Sequence, residues 1–247
     1  MLGESMLPRV ATWNMEWATP KSRRTPEILE RLEQAGAEVV CLTETHCDLL
    51  AGRGYSISSP ADYGYPITEG RRKVMLWSRE PWEDIDDAGS GLMPPGRFVS
   101  GVTRTSMGVI RVVGVCIPWS GCRTEARRGS ARRVRWEDHE QYLACLPGVL
   151  KGLDAGSLVV MGDFNQVIGS GCRAPIRLRS ALQQAFPTGM RIATPDLEFQ
   201  GRKSIDHIAV SDDMAVESLG VISNLHEGKK LSDHFGVFAD LSIRNRG

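Results

Sequence analysis

The chain has 247 residues, 41% of them hydrophobic, and its 30 basic and 30 acidic residues cancel. That composition excludes a disordered chain and, for the molecule as a whole, a polybasic nucleic-acid or membrane-surface protein. There is no basic segment followed by an apolar run at the N-terminus and no stretch of 18 apolar residues, so we expect a cytoplasmic protein with no membrane segment. Six cysteines without a CxxC pair read as reduced thiols. With no linker and no internal repeat, residues 1–247 are expected to form a single domain.

In chain order, Arg9 to Met15 (RVATWNM) predicts a strand that delivers Asn14 and Glu16 to its C-terminal end. Thr25, Pro26, the periodic Ile28, Leu29 and Leu32, and a closing Gly36 predict a helix. Val39 to Thr43 predicts a second buried strand ending on Glu44, and the strand–helix–strand spacing brings Asn14 and Glu44 to one rim. Short strands are expected at Tyr55 to Ser58 and Val74 to Trp77, and the acidic, then Gly/Pro-rich, stretch Glu83 to Gly96 reads as surface. Arg97 to Arg104 and Met107 to Ile117 predict a hairpin. Consecutive strands without a helix between them point to a mixed sheet and away from a doubly wound parallel fold.

Pro118 to Gly121 reads as a loop, and the next stretch, Cys122 to Arg135, carries six arginines against one acid, Glu125. It leads into an amphipathic helix marked by Trp136, Leu143, Leu146 and Leu150, with Pro147 a potential kink. Ser157 to Gln166 (SLVVMGDFNQ) is the stretch around which the chain is organised: an apolar run buried on both faces, with Gly162 read as a tight turn into Asp163, Phe164 and Asn165. Pro175 opens a further helix, Ser204 to Val210 is a strand containing Asp206, and Asp233 and His234 immediately precede a last strand, Gly236 to Leu241.

The polar clusters at these strand ends are Asn14 with Glu16, Glu44, Asp163 with Asn165, Asp206, and Asp233 with His234. Carboxylates, carboxamides and one imidazole, without a ligand cysteine, make a hard-oxygen set suited to Mg²⁺ or Mn²⁺ and to phosphate-ester hydrolysis. Of the other histidines, His207 reads as structural, His46 as an ordinary loop residue, and His139 and His226 as solvated. Trp13 and Trp17 read as core. The arginine run reads either as a solvated face or as a grip on substrate phosphates, with Arg71, Arg72, Lys73, Arg173 and Arg202 as neighbours.

The segments ATWNMEW, CLTET, MGDFN, SIDHI and LSDHF, in that order from Arg9 to Leu241, resemble the motifs of the endonuclease/exonuclease/phosphatase superfamily, the deoxyribonuclease I-like metal-dependent phosphoesterases. The resemblance implies an α/β (α+β) fold: a four-layer α/β/β/α sandwich of two mixed β-sheets flanked by helices. It further implies Glu44 as the principal metal carboxylate, with Asn14 and Asp233 close to the ion and Glu16 an outer contributor. Asp163 would orient or activate water, Asn165 would donate to a phosphoryl oxygen, and His234, oriented by Asp206, would bind the phosphate or stabilise the transition state. Many members place a tyrosine or histidine near the phosphate where this chain has Cys116. We read Cys116 as packing and expect Trp119, Ser120 or arginines of the run, Arg123, Arg127 and Arg128 among them, to supply the lost contact. The expected activity is phosphodiester hydrolysis of nucleic acid. The alternatives are another phosphate-ester substrate (lipid, inositol or nucleotide phosphate) or an inactive binding module with this fold; nothing in the sequence points to a protein partner.

Overall fold

The computed structural model describes residues 7–124, 134–153 and 156–244. Strand β1 (Arg9–Asn14) is buried from Val10 onward. Helix α1 (Thr25–Ala35) follows, with Pro26 in its first turn and Gly36 ending it at φ 66°, a left-handed conformation that costs glycine nothing. β2 (Val39–His46) returns parallel to β1 with Asn14 opposite Thr43, which brings Asn14 and Glu44 to the same rim as expected. β3 (Tyr55–Ser58) and β4 (Arg71–Ser78) complete that edge.

The second half of the chain begins with β5 (Glu83–Asp86), β6 (Phe98–Thr105) and β7 (Gly108–Cys116), the last two forming the expected hairpin. Then come α2 (Glu137–Gly152), with Pro147 inside it, and β8 (Leu158–Asp163), parallel to β7. α3 (Ile176–Gln184) and the short β9 (Arg191–Ile192) lead to a two-stranded ribbon of β10 (Glu198–Phe199) and β11 (Arg202–Lys203). After β12 (Asp206–Val210) and β13 (Met214–Ile222), a second ribbon, β14 (Leu225–His226) with β15 (Lys229–Lys230), precedes β16 (Gly236–Ile243).

The strands form two six-stranded mixed sheets, β13-β16-β1-β2-β4-β3 and β5-β6-β7-β8-β12-β9. Their inner faces meet through Val10, Val39, Cys41 and Leu76 on one side and Val112, Val159, Met161 and Ile208 on the other. The alternate residues turn outward. Trp13, Leu42 and Met75 lie under Ile28 and Leu32 of α1, and Val113, Val160 and Ala209 lie under Tyr142, Leu146 and Leu182 of α2 and α3. A strand covered on both faces reads as a continuous apolar run, as β8 does. The layers are those of the expected four-layer sandwich. No helix among the described residues is long and apolar enough to cross a membrane.

Three local readings are corrected. The acidic surface stretch contains an edge strand, β5, exposed at Glu83, Asp84 and Ile85; its charges suit an edge and conceal the strand pattern. β13 has no counterpart in the sequence reading, because a register shift between Val216 and Ser218 breaks its alternation. Gly162 does not turn the chain: it sits within β8 at φ 142°, where a Cβ would lie 1.9 Å from the Val115 carbonyl oxygen. The glycine lets β8 approach β7 closely, and the strand continues to Asp163.

Candidate active site

Two carboxylates define the buried half of the site. Asp163 and Asp206 are direct partners across the β8–β12 pair, so their side chains emerge side by side on one face. By the same alternation that turns Val159 and Met161 inward, that face is the one between the sheets, where Asn14 arrives from β1. Asp163 Oδ2 accepts from Asn14 Nδ2 at 3.1 Å, and its Oδ1 accepts from the Asn165 amide at 2.8 Å. Asp206 Oδ2 accepts from His234 Nδ1 at 2.5 Å, while the buried Asp206 Oδ1 has no hydrogen-bond partner among the described residues. His234 is fixed from behind: its backbone N–H donates to Ser232 Oγ, which itself donates to the Asn14 carbonyl, and its carbonyl accepts from Trp13 Nε1.

This crowding sets the protonation states. Burial, followed by the neighbouring Asp206 charge, raises the Asp163 carboxyl to about 7. Burial also raises Asp206, against the pull of His234. For His234 burial works the other way, but the Asp206 carboxylate, supported by Asp163 and Asp233, lifts the imidazole to about 10. His234 is therefore a cation near neutral pH, and Asp163 is poised to exchange a proton.

The other half of the site lies on the first sheet. Strict alternation from Val40 and Leu42 would assign Glu44 to the outer face, but its backbone is left-handed, at φ 46°, and breaks that alternation. Glu16, Trp17 and Asn165 are also left-handed, at φ 44°, 60° and 53°. For non-glycine residues this costs roughly 1–3 kcal/mol each and tends to cluster at functional sites. The Trp17 amide holds the loop by donating to the Glu44 carbonyl at 2.7 Å. Glu44 Oε1 accepts from the Lys73 ammonium at 2.5 Å. Lys73 in turn faces Trp17 and Tyr63, whose rings stack at 5.6 Å, and the Arg71 guanidinium lies 4.8 Å from the Trp17 ring. Trp17 is thus a half-buried wall of the site, which corrects its core reading; Trp13 is core.

The expected metal residues are not equally placed. Asp233 is 57% exposed, with Oδ1 3.8 Å from His234 Nε2. Glu16 is ion-paired with Arg24 at 2.8 Å. A tight cluster of ligand-type atoms is formed by Asp163, Asp206 and His234, but His234 carries its proton and faces a carboxylate. The donors that fit a hard divalent ion are therefore oxygens, and Glu44 already carries a cation, the Lys73 ammonium. A second cluster, His46, Cys47 and Asp48, lies at the end of β2: His46 closes the strand opposite Arg71 and is not the loop residue expected, its Nδ1 accepts from the Asp48 amide, and its Nε2 packs against Gly70.

Of the expected substrate contacts, Trp119 is 54% exposed and the Arg123 amide donates to the Tyr65 hydroxyl. Arg127 and Arg128 lie outside the described residues. Cys116 is buried, in keeping with its packing role, and burial pushes its thiol upward. Against it lies a residue the sequence reading passed over, Arg97, 2% exposed. Its Nη2 donates to Cys122 Sγ at 3.2 Å, its Nη1 is 4.0 Å from Cys116 Sγ, and its Nε has no partner among the described residues. Both thiols are raised by burial, so this guanidinium is a buried cation beside neutral sulfur, within the field of Glu44. An arginine opening an apolar strand carried no signal of this.

His139 is also corrected. It is buried, its Nδ1 donates to the Pro118 carbonyl at 2.6 Å, and its Nε2 accepts from Gln166 Nε2 at 2.7 Å. The spacing 139, 142, 143, 146, 150 was the available sign, since it places His139 on the buried stripe of α2. His207 is structural as expected, bonded to Thr194 Oγ1 and the Gln166 carbonyl. Burial lowers both imidazoles to about 4. His226 is 3.1 Å from Glu27 and half exposed.

Residues 11–234 match the family model described as the Endonuclease/Exonuclease/phosphatase family. A search of curated proteins gives no match. Among solved structures, the chain is similar to a 3′-5′ exonuclease, NExo, from Neisseria meningitidis, at 18% identity and TM-score 0.70, covering 95% of this chain and 99% of that one. A 3′ phosphatase NExo from Neisseria bound to product DNA hairpin aligns at 18% identity and TM-score 0.68, over 94% and 98%. TDP2 from D. rerio, complexed with single strand DNA product, aligns at 11% identity and TM-score 0.65, over 96% and 99%.

Proposed function

Because the chain belongs to the endonuclease/exonuclease/phosphatase family, we propose that it is a divalent-metal-dependent phosphoesterase acting on nucleic acid. The observation that carries this reading is the buried array of Asn14, Asp163, Asp206 and His234, in which a carboxyl raised to about 7 stands beside a charged imidazole. Asp163 orients the attacking water and accepts its proton, a task suited to a group poised near working pH. His234, held in position and kept protonated by Asp206, donates to a phosphoryl oxygen as charge builds there. Asn165 spends one amide hydrogen on the Ile117 carbonyl at 2.8 Å, which leaves the other for the same phosphoryl group. Glu44, Asp233 and Asn14 would hold Mg²⁺ or Mn²⁺, which would offset phosphate charge and polarise a phosphoryl oxygen. Glu16, committed to Arg24, shapes the rim.

Nucleic acid is favoured by the half-buried Trp17 ring at the rim with the Arg71 guanidinium beside it, and by the DNA-bound state of two structural neighbours. A phosphatase acting on a small phosphate ester is the second reading, supported by the net charge of zero. The test is a panel of labelled DNA, RNA, nucleotides and inositol phosphates, each assayed with Mg²⁺ and with EDTA. Metal-dependent cleavage of DNA or RNA supports the proposal. Full activity in excess EDTA refutes the metal requirement, and turnover of small esters alone transfers the site to the second reading.

A further inference from the structure

Lys73 lies in β4 between Arg72 and Val74, whose strand partners are Thr45 and Thr43. It therefore faces Glu44 across the β2–β4 pair. Its side chain is 8% exposed and its ammonium lies 2.5 Å from Glu44 Oε1. Nζ is also 4.7 Å from the centre of the Trp17 ring and 5.6 Å from that of Tyr63. A compact cation with three donors and no acceptor is thus held by one carboxylate oxygen and two aromatic faces.

A divalent ion bound to Glu44, through that oxygen or the other, would lie close to the ammonium and be repelled by it. A divalent ion arriving at Glu44 meets an ammonium already in contact with the same carboxylate, in a place largely closed to water, where like-charge repulsion is poorly screened. The four-carbon stem of lysine lets the ammonium move while its backbone stays fixed in β4. Once displaced, it is a desolvated positive charge beside an ion-bearing carboxylate and has lost its anionic partner. A phosphate group bound at that ion would replace the partner.

We propose that Lys73 is a resident cation on the metal carboxylate: it opposes binding of a divalent ion to Glu44, and when displaced it becomes a donor to the substrate phosphate, so that ion and phosphate bind with positive coupling. The proposal rests on the reading of Glu44 as a metal ligand. Linkage makes the coupling reciprocal, so phosphate must raise ion affinity by the same factor as the ion raises phosphate affinity. In the absence of a phosphate compound the site would hold its ion weakly.

The experiment is a calorimetric titration of the full chain with Mn²⁺, with and without saturating inorganic phosphate, for wild type, Lys73→Met and Lys73→Gln. Met keeps an apolar stem against Trp17 and Tyr63, and Gln keeps a polar tip, so at least one variant should retain the wild-type fold, checked by its thermal transition. In wild type, phosphate should tighten Mn²⁺ binding by about fivefold or more, within the usual range of coupling between sites. In the variants, Mn²⁺ alone should bind more tightly than to wild type, and phosphate should no longer change its affinity. Equal Mn²⁺ affinity in all three proteins, or phosphate coupling that survives the substitution, would overturn the role of Lys73 and leave the metal site standing. If none of the proteins binds Mn²⁺, with or without phosphate, the metal reading falls and this proposal falls with it.

Discussion

The two halves of the site are built on opposite principles. On the second sheet, Asp163 and Asp206 are buried and fixed side by side by strand register, and His234, from the turn before β16 of the first sheet, donates to Asp206. On the first sheet, Glu44 and Trp17 stand on left-handed backbone at the rim, and the charge opposite Glu44 is a lysine on a flexible stem. The buried half is organised for proton handling. The rim half holds a lysine ammonium on a carboxylate, the arrangement that the proposed exchange of cations needs. The rigid carboxylates stand on central strands, whereas the rim combines left-handed backbone at Glu44 and Trp17 with the flexible side chain of Lys73 in β4, so the second half can change without disturbing the first.

If that division is correct, the largest effect comes from the buried half. Asp163→Asn and His234→Ala should each lower turnover by about 10²-fold or more, the low end for loss of a positioned acid–base group, with thermal stability near wild type for Asp163→Asn and lowered for His234→Ala, which leaves the buried Asp206 carboxyl without its partner. Steady-state kinetics on the substrate found by the panel, with melting curves alongside, would check this. Near-normal turnover in either variant would remove that residue from the mechanism.

A smaller effect is expected at Arg97, which lies between the halves. Arg97→Met should raise KM by about tenfold with kcat less affected, the pattern of a lost ground-state contact or field. Its stability should equal or exceed that of wild type, because a buried cation whose hydrogen bonds among the described residues go to neutral thiols costs free energy that a well-packed apolar group does not. Kinetics and urea denaturation on one preparation would sharpen the comparison. A collapsed fold would instead make Arg97 a structural pin.

A readout that leaves catalysis untouched separates the site from its scaffold. His139 and His207 titrate at about 4 in the folded chain, below the ordinary value of about 6.5. In that interval the unfolded chain binds more protons, so the stabilisation is present above pH ~6.5 and lost as pH falls toward ~4, by roughly 3 kcal/mol for each histidine. His207→Gln should flatten this part of the stability–pH curve, measured by urea midpoints between pH 4 and 8. An unchanged curve would mean that His207 is not held neutral.

The buried half was legible in the sequence because its residues end strands whose apolar runs are continuous, and because Asp163 with Asn165, and Asp233 with His234, stand in compact motifs. The order of layers followed from the same runs. What escaped notice depends on juxtaposition. In the sequence Lys73 reads only as one of several basic neighbours of a substrate and Arg97 only as the opening of an apolar stretch, and their meaning arises only where β4 faces β2 and where Arg97 meets Cys116 and Cys122. β5 and β13 escaped for the complementary reason, since edge strands with a bulge or a charged face do not alternate. His139 was on the page as helical spacing and was missed because it was read alone.

The hydrogen bond from Ser232 to the Asn14 carbonyl spans 218 positions of chain, and that from Trp13 to the His234 carbonyl spans 221. β1, the first strand to be synthesised, lies between β2 and β16, the last. During translation, therefore, one edge of β1 stays open until β16 has been made, a long wait for a non-local pairing. His234 docks only when that edge closes. A chain that stops short of His234 would lack the imidazole and its clamp together.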